Sequence, residues 1–310
     1  MGAQGSEGPD GSGRSEGPER SEFPEGSEGP EGSGPSTVAT MVSHLDLAPG
    51  MRVLEVTDGT TQPSERLQDQ VRGGSIDAIP VGQLTNPDVV LRGLEVAGDP
   101  SVSGCTGYDR VLVSVPMVVV PYALVEAVRE GGTLVVPWAN PFAGPSVARL
   151  TIDDDRAYGR FVEPLTVEDQ RAEGGTNVFD VHADTLLAGA PASCGLDPDA
   201  LWSDRDALFA LGMQLPDLRF TQAEFPDGSG RVMRWVYDQE AWAGVSVSAD
   251  GDDPRWEHYG LSTLWGTVEK AYRWWVDSDR PAPDQFGMTV ASYGQFGWLG
   301  DRYSGRMWRL

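Results

Sequence analysis

Residues Arg52 to Gln62 read R-V-L-E-V-T-D-G-T-T-Q, an apolar run that delivers a short polar loop. In α/β proteins the loop after a buried strand is where ligands are met, and this one carries a carboxylate, Glu55, and a glycine, Gly59. Farther along, Asp153, Asp154 and Asp155 stand in a row after an apolar segment ending at Ile152. Such a run either holds a divalent cation or makes a solvated turn. Two cysteines, Cys105 and Cys194, and three histidines are too few and too scattered for a zinc site or a disulfide framework. Neither a G-x-x-x-x-G-K-[ST] phosphate loop nor a G-x-S-x-G nucleophile elbow occurs.

The elements that must position these residues show in the hydrophobic pattern. Val38, Met41, Val42 and Leu45 fall on one face of a helix, which Pro49-Gly50 breaks before a first strand at residues 51–56. Further strands are predicted at 75–79, 94–97, 109–115 and 133–137, with helical stretches near 64–72, 83–92 and 121–130. This βα alternation predicts an α/β fold with a parallel, doubly wound sheet and ligands at the carboxyl ends of its strands. Residues 37–165 would form that domain, with a linker at 166–189. Residues 190–310, rich in tryptophan, read as a smaller α+β domain. Its strands are expected at 231–237 and 242–248, followed by a helix carrying Leu264, Trp265, Val268, Ala271, Tyr272 and Trp275. Those rings either pack that domain or line a groove for a peptide.

Residues 1–36 are almost entirely Gly, Ser, Glu and Pro, with S-E-G-P at 6–9, 15–18 and 27–30. Such a composition cannot bury enough apolar surface to offset the entropy of ordering, so an acidic disordered tail is expected. The formal net charge of the 310 residues is −24. That balance argues against a nucleic-acid partner, which needs a basic face, and against docking on anionic lipid. It suits a neutral or basic peptide. With no signal peptide and no long apolar span, a soluble cytoplasmic protein is expected.

The order of R-V-L-E-V-T-D-G-T-T-Q, Y-D-R-V-L-V-S-V at 108–115, V-P-Y-A-L-V-E-A-V-R-E-G-G at 120–132 and T-L-V-V-P-W at 133–138 resembles the protein-L-isoaspartate O-methyltransferase family. The resemblance covers roughly residues 35–165. The stretches A-Y-R-W-W-V at 271–276 and F-G-M-T-V at 286–290 are similar to the extension carried by actinobacterial relatives. The family is one of class I S-adenosylmethionine-dependent enzymes with a Rossmann-like sheet. The resemblance therefore implies S-adenosylmethionine as cofactor and a protein or peptide carboxylate as acceptor. On the family's E-x-G-x-G-x-G loop, Glu55, Gly59 and Thr60 take the cofactor positions, and Asp99 of Gly98-Asp99 the position near the adenine. Ser33-Gly34-Pro35 has the form of the family's S-x-P motif, which makes Ser33 the candidate beside the acceptor.

Three residues depart from the pattern. Thr57 and Thr61 stand at glycine positions, where a requirement for positive φ would cost on the order of 1–3 kcal/mol. Pro80 stands where the second strand should end in a carboxylate for the ribose, while Asp77 lies three residues earlier and on the opposite face. Losing that charge-assisted pair costs roughly 1.5–3 kcal/mol, about ten- to a hundredfold in affinity. Three readings remain open: a divergent O-methyltransferase acting on Asp or isoAsp carboxylates, an inactive relative that serves as a peptide- or protein-binding module, and a decayed gene product with no selected role.

Overall fold

A computed structural model of the chain describes residues 35–59, 61–83, 107–165, 178–186, 188–224, 230–247, 254–260, 263–303 and 305–310. The tail up to residue 34, the predicted strand at 94–97 and most of the predicted helix at 83–92 lie outside these residues.

The first helix, α1 (Pro35–Ser43), buries Met41 and Val42, with Leu45 just beyond it, as its periodicity requires. Two positive-φ residues, Asp46 (φ 50) and Gly50 (φ 82), turn the chain into β1 (Arg52–Thr57). A helix, α2 (Glu65–Gln70), leads to β2 (Ser75–Pro80), which pairs with β1 in parallel. On the other side of β1 lies β3 (Tyr108–Val113), also parallel. The chain thus steps outward on one side of β1 and then crosses to the other, which creates a topological switch point between β1 and β3.

Next come α3 (Tyr122–Ala127) and β4 (Val128–Asn140), the fourth parallel strand. The helix is shorter than the predicted stretch 121–130, because the chain is already extended at Val128 (φ −91, ψ 135), where it pairs with Tyr108. β4 is much longer than 133–137, because β5 (Gly144–Asp153) runs back along it from Thr133 to Asn140. β5 continues into β6 (Arg156–Pro164) through a two-residue turn. Asp154 and Asp155 have φ of 52 and 57, the left-handed pair that a type I′ hairpin demands. The aspartate run is therefore this turn, and Asp153 is paired with Arg302 at 3.3 Å.

After α4 (Val178–Val181), a second sheet of five strands has the order β7-β11-β10-β9-β8. These are β7 (Ala190–Pro191), β8 (Arg219–Glu224), β9 (Val232–Tyr237), β10 (Trp242–Val247) and β11 (Arg255–Tyr259). Every residue of the central β10 is buried, since both faces of this sheet are covered. One face packs on α5 (Pro198–Ser203), α6 (Arg205–Gln214) and α7 (Leu264–Asp277). Trp202 and Trp265 fill this packing, Trp235 and Trp242 lie in the cluster on the other face, and Trp275 belongs to the core of the first sheet.

The division between a first and a second domain at 166–189 is crossed by the sheet itself. Strands β12 (Phe286–Ala291), β13 (Gly294–Leu299) and β14 (Arg306–Arg309) return to the first sheet and pair outward from β6. The result is a nine-stranded mixed sheet, order β14-β13-β12-β6-β5-β4-β3-β1-β2. α6 and α7 also contribute Phe209, Met213 and Trp275 to the core of that sheet. Gly212 marks the join, because a Cβ there would lie 2.0 Å from Asn140 Oδ1 on β4. Among the described residues no helix is long and apolar enough to cross a membrane.

Candidate functional site

β1 carries the site to its carboxyl end. Side chains alternate along it, so Leu54 and Val56 join the core that holds α3, and Val53 joins the one under α1 and α2. Glu55 and Thr57 share the face of Val53. Glu55 is only 1 % exposed, and both of its oxygens are engaged. Oε2 accepts from the backbone N–H of Ser64 at 2.7 Å, and Oε1 accepts from the hydroxyl of Ser114 at 2.9 Å. Ser64 immediately precedes α2, and Ser114 immediately follows β3, where its own N–H donates to Val56 O at 2.8 Å. One buried carboxylate thus ties the far end of the first loop to the switch point. Charge-assisted bonds of this kind are among the stronger ones a loop can have. The Ser64 Oγ, buried beside them, has no hydrogen-bond partner among the described residues.

Between these anchors Asp58, Gly59 and Thr61 are exposed. Gly59 has φ 153, a region that side chains rarely adopt, and among the described residues nothing beyond its chain neighbours lies within 4 Å of where its Cβ would be. No described side chain stands in the way of a ligand approaching the backbone here. Thr57 behaves otherwise than its expected strain: it is the last residue of β1, and its hydroxyl donates to Ile79 O at 3.3 Å. Neither Thr57 nor Thr61 is among the described non-glycine residues of positive φ, so neither threonine strains the loop.

The end of β2 follows the predicted register. Pro80 is its last residue and stands opposite Thr57. Asp77 is turned to the other face, where its carboxylate accepts from the Tyr108 hydroxyl at 2.7 Å and lies 3.7 Å from the Arg52 guanidinium. Arg52 also covers the Tyr108 ring at 4.4 Å and donates its backbone N–H to Asp109 at 2.7 Å. Asp109 is paired in turn with Arg129 at 2.6 Å. Burial, reinforced by Asp77, pushes the Tyr108 hydroxyl above its ordinary range. This network sits at the amino ends of the strands, away from the first loop.

Two features of the site had no local signal in the sequence. One is the Glu55–Ser64–Ser114 brace, whose serines are ordinary loop residues until the fold joins them. The other is Gln295, from the carboxyl-terminal hairpin and 4 % exposed. Its Oε1 accepts from Val120 N–H at 2.9 Å, and its Nε2 donates to Val118 O at 3.0 Å. Trp138 Nε1 donates to the same carbonyl at 2.9 Å. The segment that follows β3 is therefore pinned at Ser114 by β1 and at Val118–Val120 by β13. Ser33, Thr60 and Asp99 lie outside the described residues. Surface cavities of about 480 Å³ along α7 and about 420 Å³ beside Arg219 and Tyr237 have no lining residue from β1–β4.

A sulfonium cofactor with an adenosine moiety makes two demands on such a sheet end. Its amino-acid part needs a first loop whose backbone can be approached, and Gly59 meets this. Its ribose needs an acceptor at the end of the second strand, and Pro80 does not supply one. Among the described residues the fit is met at one end of the ligand and not at the other.

Residues 27–143 match the family model of protein-L-isoaspartate(D-aspartate) O-methyltransferase. A protein-L-isoaspartate O-methyltransferase of Pyrococcus horikoshii is 34% identical over 118 residues, which are 34% of this chain and 52% of that protein. The chain therefore spans about half the length of the curated relative it matches. Among solved structures, a protein-L-isoaspartate O-methyltransferase aligns over 88% of this chain and 82% of its own, with 16% identity and a TM-score of 0.40. A Plasmodium falciparum protein described as a protein-L-isoaspartate O-methyltransferase, in complex with S-adenosyl-L-homocysteine, aligns over 42% of this chain and 69% of its own, with 13% identity and a TM-score of 0.28. Both scores are too low to add to the strand order and register described above. In sequence, residues 27–143 are thus similar to the protein-L-isoaspartate O-methyltransferase family, and the parallel order β4-β3-β1-β2 in the described part of that stretch is that of an α/β, Rossmann-like sheet.

Proposed function

We propose that this chain is a divergent S-adenosylmethionine-dependent O-methyltransferase of the protein-L-isoaspartate type, acting on Asp or isoAsp carboxylates of a protein or peptide. The observation that carries this reading is the braced, open first loop at the switch point, inside the segment that matches the family. Glu55 holds the loop, and Gly59 leaves its backbone approachable. By resemblance, Thr60 and Asp99 complete the cofactor side and Ser33 stands by the acceptor. The cofactor supplies the methyl group. A carboxylate acceptor is already anionic, so the protein has to align it and exclude competing water; no strong base is required. The acidic surface favours neutral or basic peptides as partners.

A second reading is supported by Pro80, which leaves the end of β2 without a carboxylate. In it the domain has lost transfer activity and binds a peptide or protein. Transfer of label from methyl-labelled S-adenosylmethionine to an isoaspartyl peptide separates the two. The methyltransferase reading expects incorporation that is released by mild alkali, as a methyl ester is. Peptide binding without incorporation at millimolar cofactor would sink it in favour of the second reading.

A further inference from the structure

The large sheet ends, on the side away from β2, in β14 (Arg306–Arg309), and among the described residues no strand pairs with its outer edge. Leu310 N–H donates to Gln295 O at 2.9 Å, in register with the β13–β14 ladder. Bonded and non-bonded residues alternate in an antiparallel pair, so Arg306 and Trp308 also turn their backbone groups to β13. Met307 and Arg309 then turn theirs outward. Both of these side chains are exposed, Met307 to 52 %. An extended chain laid alongside β14 would find backbone donors and acceptors ready for it.

The side chains along this edge define what such a chain must carry. Arg306 and Trp308 stand on the α7 face, where the Arg306 guanidinium lies 4.5 Å from the centre of the Trp274 ring and 5.4 Å from that of Trp308. Stacking of this kind fixes the guanidinium and leaves its N–H groups for a carboxylate. Met307 and Arg309 stand on the other face, opposite Trp298 and Phe296. Neither Arg306 nor Arg309 has an ion-pair partner among the described residues. The chain as a whole has a formal charge of −24, yet residues 294–310 hold three arginines and one aspartate. This edge therefore reverses the sign of the molecule. It also opposes self-pairing: β14 contains no acid, so a second copy would bring only further guanidinium groups to the ladder.

We propose that β14 is a docking edge for an extended acidic segment of a partner protein, added to the sheet as a further strand. Carboxylates of that segment would stand opposite Arg306 and Arg309, with apolar residues beside Met307 and Trp308. A Glu-x-x-Glu stretch with apolar residues between the acids meets both faces at once. Docking here does not depend on methyl transfer, since β1 lies near the opposite edge of the sheet.

The test is fluorescence anisotropy of a labelled Thr-Glu-Val-Val-Glu-Thr peptide titrated with the full chain, with Thr-Lys-Val-Val-Lys-Thr as the control. Two variants accompany the parent, each checked for folding by its thermal melt: the double substitution Arg306→Glu, Arg309→Glu, and the single substitution Met307→Pro. The Met307 N–H faces away from β13, so proline there spares the existing ladder and removes only an outward donor. The parent is expected to bind the acidic peptide saturably and the lysine peptide not at all. The double variant should bind the acidic peptide about tenfold more weakly and gain affinity for the lysine peptide. Met307→Pro should also weaken the acidic peptide, although its charge is unchanged. No saturation by the folded parent at millimolar concentration, equal binding of the two peptides, or full binding by Met307→Pro would overturn the proposal. So would sedimentation of the parent as a dimer that Met307→Pro converts to a monomer, since the edge would then belong to a second copy of this chain.

Discussion

The two ends of the parallel strands are built on opposite plans. At the amino ends Arg52, Asp77, Tyr108, Asp109 and Arg129 form a continuous chain of ion pairs, hydrogen bonds and ring contacts. At the carboxyl ends Asp58, Gly59 and Thr61 are exposed, and Pro80 closes β2 without a polar side chain. Charged groups that stitch strands together serve the fold without a ligand. Thr57, Thr61 and Pro80 all stand at or beyond the carboxyl ends of β1 and β2. Stability and ligand affinity should therefore respond to substitutions in different places.

Glu55 is the residue that breaks this division, since it lies toward the carboxyl end but serves the fold. Glu55→Ala would leave the Ser64 N–H and the Ser114 hydroxyl without their buried acceptor, a loss of about 3 kcal/mol for the two groups. It is expected to have the largest effect of the substitutions considered, read as a fall in the denaturant midpoint. A change below about 0.5 kcal/mol would mean that the brace contributes nothing.

Asp77→Ala tests the amino ends. It removes the acceptor of a buried tyrosine and a partner of Arg52, and should cost about 2 kcal/mol. Ligand affinity should not move. If S-adenosylhomocysteine binding weakened in a folded Asp77→Ala protein, the separation of the two ends would fail.

A pH titration sharpens the same contrast with a smaller effect. Tyr108 has its folded pKa raised, first by burial and then by Asp77. Its contribution to stability is fully present below the unfolded tyrosine pKa of about 10 and is lost as pH rises toward the folded value. Absorbance at alkaline pH should show one tyrosine that ionises only as the protein unfolds. In Tyr108→Phe that late step should be missing.

Much of the first sheet was legible because its strands are local, apolar and bounded by turn residues. Expected at 51–56 and 75–79, the strands run 52–57 and 75–80, and the helical face of Val38, Met41 and Val42 is buried as its spacing required. The ends of β3 and β4 shifted because strand length is set by partners, and β5 extends β4 well past its own apolar run. The return of β12–β14 to the first sheet was not legible. Phe286–Ala291 reads as a strand, but nothing local says that its partner is β6, more than 120 residues earlier. The aromatic composition of the final third suggested a separate unit, whereas Phe209, Met213 and Trp275 complete the core of the first.

For the site, Glu55, Gly59 and Pro80 were visible as residue types at known spacing, and the register of Pro80 opposite Thr57 followed from strand alternation. The cost expected of the threonines was conditional on a positive φ, and residue type alone could not say that the condition is not met. Ser64, Ser114 and Gln295 gave no signal. Each acquires its role through a contact across 9, 59 or 175 residues.

Titration of S-adenosylhomocysteine into the unmodified protein tests the central claim most directly. A braced and open first loop combined with Pro80 predicts binding that is weak but measurable, with Kd between about 0.1 and 1 mM, near −4 to −5.5 kcal/mol. A low-micromolar Kd, near −8 kcal/mol, would show that Pro80 costs the site nothing. Absence of heat and of thermal stabilisation at ~10 mM ligand would contradict a cofactor site at the end of β1 altogether.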